Sequence, residues 1–494
     1  MSRAPRSPRV AIVGGGIGGL TAALLLSRRG AEVTLLESRD RLGGRIAFER
    51  NESDTRRIDQ GPTIVLLPEM LLSILEEGGI ERERIKLIES DPLYRIHYSD
   101  GRTMTKRRDP GEQAKEIERL FPGQSEPFLR YMKEVRSLYP GAQKAVLERT
   151  FPRKRDFFTP RQVRMLGRLQ AHRSVRAAAA RYFKHEDLID AYSLQSLYIG
   201  GEPSGTPGVY SILPYAEHDF GIWMIEGGYA RLPVILEEEL RSRGVDIRLN
   251  TRVERLPVED GRCRGIVADG VKEDFDAVLF NGDFPHLLPL LEGRPEAVRR
   301  KPYRPSSGCV LVYIGASKRW EDTAAHQFFL PDSLTESLQA IFKRGMIPAN
   351  PSFYVFNPVV LDGNAAPEGE SVLYFLIPAP DASRIPWSKE GRRLARKVLR
   401  AAEQRGFPGL RESLKWIKLR TPEDARQDGN YEGGSFGIAP ILAQSGPYRP
   451  QPRPFKSIDG LYAAGASVHP GGGVPIVMQG ARMAVNQLME EWNP

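Results

Sequence analysis

The sequence predicts an α/β fold in which one parallel sheet is assembled from separated parts of the chain and carries an inserted α+β lobe. Three observations lead there. The chain opens with a strand–glycine–helix–strand unit, RVAIVGGGIGGLTAALLLSRRGAEVTLLESRDRLGGR, over residues 9–45. It closes with a small-residue strand, a run of glycines and a long helical stretch over residues 460–490. With 494 residues it is too long for a single core, so the two ends share one domain while the middle builds others.

The opening unit is the most informative. Val10-Ala11-Ile12-Val13 is a short apolar run of the kind a doubly buried parallel strand requires. Gly14, Gly16 and Gly19 follow in G-x-G-x-x-G spacing, a helix continues through residues 22–26, and a second strand over 31–36 ends at Glu37. Glycines there allow a tight turn and a close approach to a pyrophosphate, which the helix N-terminus faces with free N–H groups. Glu37 is placed to accept hydrogen bonds from an adenosine ribose and would repel a 2′-phosphate. The pattern predicts a Rossmann-like dinucleotide-binding domain. A membrane anchor or signal sequence does not fit this stretch, which is short for a span and clustered in glycine. Just beyond Glu37, Gly43-Gly44-Arg45 adds a second glycine loop and a guanidinium, suited to a cofactor with a long body lying across the sheet.

The remaining elements follow in order. Residues 59–67 read as extended and 69–78 as a short amphipathic helix. Residues 94–104 read as a hairpin around Asp100-Gly101, and 110–143 turn to helical periodicity. A helix over 230–243 precedes a strand over 245–253, and a buried strand over 276–280 leads into Asn281-Gly282-Asp283. Apolar and aromatic stretches at 309–314, 353–356 and 372–377 predict an antiparallel sheet roofing the inserted lobe. At the C-terminus Gly465 can abut phosphate, and the helix over 474–490, preceded by three glycines, can aim N–H groups at an electron-rich ligand.

Composition excludes several classes. Two cysteines, Cys263 and Cys309, supply neither a disulfide framework nor metal spacing, which suits a reducing cytoplasm, and seven scattered histidines form no ligand cluster, so no metal is expected. No apolar run is long enough to span a bilayer. The formal net charge of +9 resides in one place: residues 149–184 hold eleven cations against a single acid, Asp156. Apolar residues are threaded through that segment, among them Phe151, Phe157, Phe158, Val163, Met165, Leu166 and Leu169. Cations interleaved with such residues fit nucleic acid or a membrane surface. No nucleic-acid-binding motif accompanies them, so an anionic lipid surface is the expected partner. The plain alternative is a solvated helix face.

Several segments together carry a resemblance. Glu37 with Gly43-Gly44-Arg45, Asp59-Gln60-Gly61-Pro62-Thr63, residues 196–201 (SLYIGG), 434–440 (GSFGIAP) and 461–475 (LYAAGASVHPGGGVP) are similar to the bacterial phytoene and diapophytoene desaturases, the carotenoid branch of the amine-oxidase-type flavoproteins. The likeness covers nearly the whole chain. It implies FAD in a discontinuous domain of the glutathione-reductase-like type, with an inserted α+β substrate domain and a helical membrane-facing region. The implied cofactor-binding residues are Gly14, Gly16, Gly19, Glu37, Gly44, Arg45, Gly61, Pro62, Thr63, Val253, Gly465, Ala466, Val474 and Pro475, with Val253 meeting the adenine end. The expected division is 1–90, 226–290 and 431–494 for the FAD domain, 91–225 for the helical substrate and membrane-associating region, and 291–430 for the substrate-binding sheet.

The implied activity is desaturation of a linear isoprenoid polyene by hydride transfer to flavin, at the cytoplasmic side of a bacterial membrane. Such a substrate has no polar handle, so an apolar tunnel must orient it. A proton acceptor is also needed. Glu217, His218 and Asp219, between Pro214 and the aromatic run at 220–223, are the candidates, with a polar surface turn as the plain reading of the same three residues. Oxidation of terminal methyl groups by a related oxygenase, flavin-dependent isomerisation without net oxidation, and a docked binding protein without turnover are the competing functions.

Overall fold

The computed structural model of the protein describes residues 7–50, 57–299 and 301–492. Its organising element is a five-stranded parallel sheet. In spatial order the strands are Leu461–Ala463, Ala277–Phe280, Arg9–Val13, Glu32–Leu36 and Asp246–Arg248. Three distant parts of the chain therefore meet in one sheet, with Val10 opposite both Ala277 and Val33, and Val278 opposite Leu461. Strand Ala277–Phe280 is buried at every position, as an apolar run sandwiched on both faces must be.

One face is covered by helices Ile17–Arg28, Arg231–Ser242 and Val474–Trp492, which share a core of Leu20, Leu24, Leu236, Met478, Ala481 and Val485 with the sheet. The other face is covered by a small meander, Val253–Glu259, Gly265–Ala268 and Val271–Asp274, packed through Leu256 and Ile266 onto Ala11, Val13 and Phe280. The carboxyl ends of the strands are held level by backbone bonds. Gly14 N–H donates to Leu36 O at 2.8 Å, Asn281 N–H to Val13 O at 2.8 Å and Ala464 N–H to Phe280 O at 3.0 Å. That edge is where open α/β sheets bind ligands.

The second sheet has seven strands: Leu414–Arg420, Gly308–Ala316, Ser371–Ala379, Phe353–Phe356, His326–Phe329, Tyr94–His97 and Thr103–Lys106. It is mixed rather than purely antiparallel, because the hairpin 94–106 joins it through a parallel pairing of Gln327 with Arg95. Alternation along Gly308–Ala316 explains why both faces are buried. Val310, Val312 and Ile314 pack on helix Trp387–Arg405 through Leu394, Val398 and Ala402. Leu311 and Tyr313 turn the other way, toward helices Pro110–Leu120, Ser125–Val146, Glu186–Ala191 and Leu213–Phe220. The basic segment folds as a turn at Lys154–Asp156 and helices Pro160–Arg168 and Val175–Ala179. Among the described residues no helix is long and apolar enough to cross a membrane.

Burial fixes the protonation of several histidines. Enclosure pushes His326 down to about 3, and His97 and His469 down to about 4. Unfolded histidines titrate near 6.5, so below that pH the unfolded chain binds protons that the native state refuses. Stability is then lost as pH falls, by about 1.4 kcal/mol per unit for each such histidine. His326 lies flat against Phe356, with ring centroids 4.9 Å apart. His326→Phe is expected to flatten the decline in unfolding free energy between pH 6.5 and 4 by about that slope, read from denaturant titrations. An unchanged slope would mean that His326 is charged in the native protein.

Candidate active site

A cavity of about 990 Å³ lies between the two sheets and has two kinds of wall. One is polar and glycine-rich. Twelve of the fourteen residues expected to hold the cofactor line it: Gly14, Gly16, Glu37, Gly44, Arg45, Gly61, Pro62, Thr63, Gly465, Ala466, Val474 and Pro475. Gly19 and Val253 do not. Gly19 acts from beneath, since a Cβ there would stand 2.1 Å from Gly14 O and force the helix off the strand. Val253 is the first residue of the meander, buried in the core it shares with the parallel sheet and paired with Ala268, while Thr251, two residues before it, donates its N–H to Glu37 O at 2.8 Å.

The glycine loops touch backbone to backbone. Gly43 N–H donates to Gly15 O at 2.8 Å, and a Cβ on Gly44 would lie 3.1 Å from Gly16 Cα, at a backbone φ of +58°. Helix Ile17–Arg28 begins at Gly16 without a side-chain cap, so its first-turn N–H groups are left to an anion. The Glu37 carboxylate is oriented by Gly15 N–H at 2.8 Å on Oε2, and by Arg39 N–H at 2.9 Å and the Ser38 hydroxyl at 3.2 Å on Oε1, so Oε2 has a further lone pair to offer. These features fit a dinucleotide along the sheet edge.

Arg45 lines the cavity and is also bonded across it. Its Nε donates to Asn430 Oδ1 at 3.1 Å, one terminal nitrogen donates to Ser435 O at 2.9 Å, and the other lies 3.6 Å from Asp283. It ties the second glycine loop to the segment around residues 430–435, across the cavity wall. Asn281 and Asp283 are site residues that the motif reasoning passed over. Asn281 Nδ2 donates to Gly14 O at 3.1 Å, and Asp283 accepts from Tyr431 N–H at 2.9 Å and from the Ser467 hydroxyl. Their position just past a buried parallel strand was the available signal.

The second wall is apolar. Ala142, Leu194, Leu197, Ile212, Leu213, Ala216, Leu311, Phe328 and Leu376 contribute to it, drawn from the helical region and the mixed sheet, together with Leu66 from the loop before residue 68. Phe157, Phe158, Val163, Leu166 and His172 of the basic segment also line it. A few polar groups interrupt this wall. Thr63 Oγ1 lies 2.8 Å from the Tyr354 hydroxyl, which lies 2.6 Å from His326 Nδ1.

Glu217, His218 and Asp219 are not a surface turn. They fall on helix Leu213–Phe220, and none of them lines the cavity. Asp219 is exposed. His218 is buried beside the Tyr192 hydroxyl at 3.3 Å, and burial holds its pKa well below the usual imidazole value. Glu217 is fully buried in a polar network. It accepts from Tyr94 Oη at 2.7 Å, Tyr198 Oη at 2.8 Å and Gln195 Nε2 at 3.2 Å, and Lys106 Nζ lies 3.5 Å away. Both charged side chains are 0% exposed. Burial pushes Lys106 down to about 8, with Glu217 opposing the shift. Lys106, Tyr94 and Gln195 carry no motif and come together only through tertiary contact.

Comparison with known proteins is consistent with this geometry. Residues 17–489 match the family described as flavin-containing amine oxidoreductase. A 4,4'-diapolycopen-4-al dehydrogenase of Metabacillus indicus is 45% identical over 98% of this chain and 97% of its own. A zeta-carotene-forming phytoene desaturase of Myxococcus xanthus is 33% identical over 99% of this chain and 95% of its own. Among solved structures, a cyclohexylamine oxidase from Brevibacterium oxydans shares the fold with a TM-score of 0.65 at 15% identity, covering 99% of this chain and 100% of that one. The matched family supplies the flavin, and the glycine-lined cradle along the sheet edge fits its dinucleotide form, FAD. The chain belongs to the flavin-containing amine oxidoreductases, and within them to the branch that includes the bacterial carotenoid desaturases.

Proposed function

We propose that this protein is an FAD-dependent desaturase that removes hydrogens from a linear isoprenoid polyene, of the phytoene or diapophytoene class. The observation that carries the reading is the joined pair of walls: an extended apolar surface continuous with a glycine-lined dinucleotide cradle. The flavin supplies the hydride acceptor when bound, and the chain's own residues hold the polyene, exclude water and take up the proton. Residues 91–225 and 291–430 would supply the apolar wall, and Gly14, Gly16, Glu37, Gly44, Gly61, Pro62, Thr63, Gly465, Ala466, Val474 and Pro475 the cradle. Arg45 would act through the loop it ties down.

A second reading has its own support. The Metabacillus relative is named for dehydrogenation of a terminal aldehyde, and the same cavity would serve oxidation at a chain end. The two readings differ in product. Anaerobic mixing of the holoenzyme with diapophytoene in liposomes is expected to bleach the flavin and yield a chromophore with more conjugated double bonds. Bleaching only by an aldehyde-ended polyene would favour the second reading, and bleaching by neither would overturn both.

Membrane docking belongs to the same proposal. Passing a polyene through water costs about 0.8 kcal/mol per exposed CH2, whereas exchange between bilayer and cavity is nearly neutral. The basic segment suits the docking face because it also lines the cavity. Arg176 and Arg181 are spent on Asp190 with Glu186 and on Glu134, but Arg161, Arg164 and Arg168 are exposed on one short helix. Beside them Phe158 and Val163 are 46% and 50% exposed, whereas Phe157 is buried against Phe151. Three or four engaged cations, at about 1 kcal/mol each, supply roughly a hundredfold to a thousandfold in partitioning.

Two substitutions test the parts separately. Glu37→Ala is expected to weaken FAD binding by about 1.5–3 kcal/mol in titrations of apoprotein, by removing a charged acceptor and loosening Gly15, with a lower melting temperature for the holoenzyme. Unchanged affinity would remove Glu37 from the ribose site. Reversal of Arg161, Arg164 and Arg168 to Glu is expected to abolish salt-sensitive co-sedimentation with anionic liposomes while leaving FAD content intact. Retained binding at low salt would make the segment a solvated face. Phe158→Ala with Val163→Ala should weaken docking in a way that salt does not mimic.

A further inference from the structure

The buried network around Glu217 touches the cavity at a single point. Of Tyr94, Lys106, Gln195, Tyr198 and Glu217, only Tyr198 is among the lining residues. Its hydroxyl is 2.8 Å from Glu217 Oε1, and its ring stands 6.2 Å from that of Phe328, another residue of the wall. Behind it the other carboxylate oxygen, Oε2, is held by Tyr94, Gln195 and Lys106 at 2.7, 3.2 and 3.5 Å. Three separate parts of the chain supply these groups: the hairpin 94–106, the turn Leu194–Ile199 and helix Leu213–Phe220.

As a device for stability the arrangement is poor. Burying two opposite charges costs free energy that their attraction barely offsets, and well-packed apolar residues of the same volume usually do as well or better. What the network offers is a phenol on an apolar wall with a charged acceptor directly behind it. Tyr354 is also on that wall, but its hydroxyl is bonded to Thr63 and the neutral His326 and to no carboxylate.

We propose that Tyr198 and Glu217 form the proton-accepting relay of the oxidation, with Tyr198 as the group that meets the substrate and Lys106, Tyr94 and Gln195 as positioning residues. The proposal rests on the polyene reading of the site. Dehydrogenation removes a hydride from one carbon, which the bound FAD accepts, and a proton from its neighbour. The C–H bond at that neighbour breaks with its electron pair remaining to form the new C=C bond. The proton joins Tyr198 Oη while the proton already on Tyr198 passes to Glu217 Oε1. The substrate loses two electrons, the flavin gains two, and Glu217 ends as a carboxylic acid. Charge is conserved inside the site: the Glu217–Lys106 pair goes from neutral to +1 as the flavin gains one negative charge. A weak base suffices, because a carbon next to one that has lost hydride is strongly acidified.

The test is anaerobic stopped-flow reduction of the holoenzyme by the polyene in liposomes, comparing wild type with Tyr198→Phe, which keeps the ring and removes only the oxygen. The proposal expects flavin reduction to slow by about a hundredfold or more, the scale of a lost general base, with FAD content and polyene affinity unchanged. It also expects the isotope effect from deuterium at the proton-losing carbon to rise in the variant, which a merely structural role would not produce. Glu217→Gln keeps the shape and should slow the step similarly. If that variant fails to fold, Tyr198→Phe decides alone. Reduction at the wild-type rate in Tyr198→Phe, or slowing that only tracks lost affinity, overturns the relay. A wild-type flavin that no polyene bleaches overturns the polyene reading itself, and the relay with it.

Discussion

The architecture depends on a contact made possible by a missing atom. Helix Ile17–Arg28 lies so close to strand Arg9–Val13 that a single methyl group at Gly19 would collide with the carbonyl of Gly14. That closeness brings the uncapped helix N-terminus to the carboxyl edge of the parallel sheet, where Gly14, Glu37, Asn281 and Gly465 end level with one another. An anion placed there meets backbone N–H groups with no side chain between. The second glycine loop then stacks on the first, and Arg45 anchors it to the segment around residues 430–435. The cradle is therefore made of backbone, and its precision comes from packing beneath it.

The second lobe solves a different problem. A ligand without polar groups is held only by shape and dryness, so its walls must be rigid and apolar on the inside and supported from outside. The mixed sheet provides this through strict alternation, with one face locked against helix Trp387–Arg405 and the other given to the cavity. Within that dry wall each polar group carries consequence, because an unpaired one would be costly. The hydroxyls of Thr63, Tyr198 and Tyr354 are all partnered. The surface charge follows a separate logic: the basic helix Pro160–Arg168 shows its arginines to solvent while Leu166 reaches the cavity, linking the outer face to the interior.

Much of the parallel domain was legible from residues alone. A four-residue apolar run, glycines at fixed offsets and an acid at the next strand's tip are local features, and the chemistry of a pyrophosphate demands them in that order. The hairpin at 94–106, the helices near 68–77, 231–242 and 474–492, and the strand 277–280 were readable because their periodicity or turn residues act over a few positions. Helix Trp387–Arg405 carried an equally plain signal in the spacing of Leu394, Val398 and Ala402, yet no motif drew attention to it.

Side-chain destinations belonged to the tertiary structure. Three consecutive polar residues, Glu217 to Asp219, read as one cluster in sequence; a helix turns each by about 100°, so one is buried beside a lysine, one beside a tyrosine and one is exposed. Phe157 and Phe158 read alike, but only the second faces outward. The parallel join between Gln327 and Arg95, the capture of Arg45 by Asn430, Ser435 and Asp283, and the meeting of Tyr94, Lys106, Gln195, Tyr198 and Glu217 all link residues far apart in the chain. No spacing rule reaches across such separations. The sequence by itself determined where backbone must approach a phosphate closely, because that requirement is local; only the folded chain decided which buried charge stands behind which cavity wall, because desolvation and pairing are set by neighbours brought together in space.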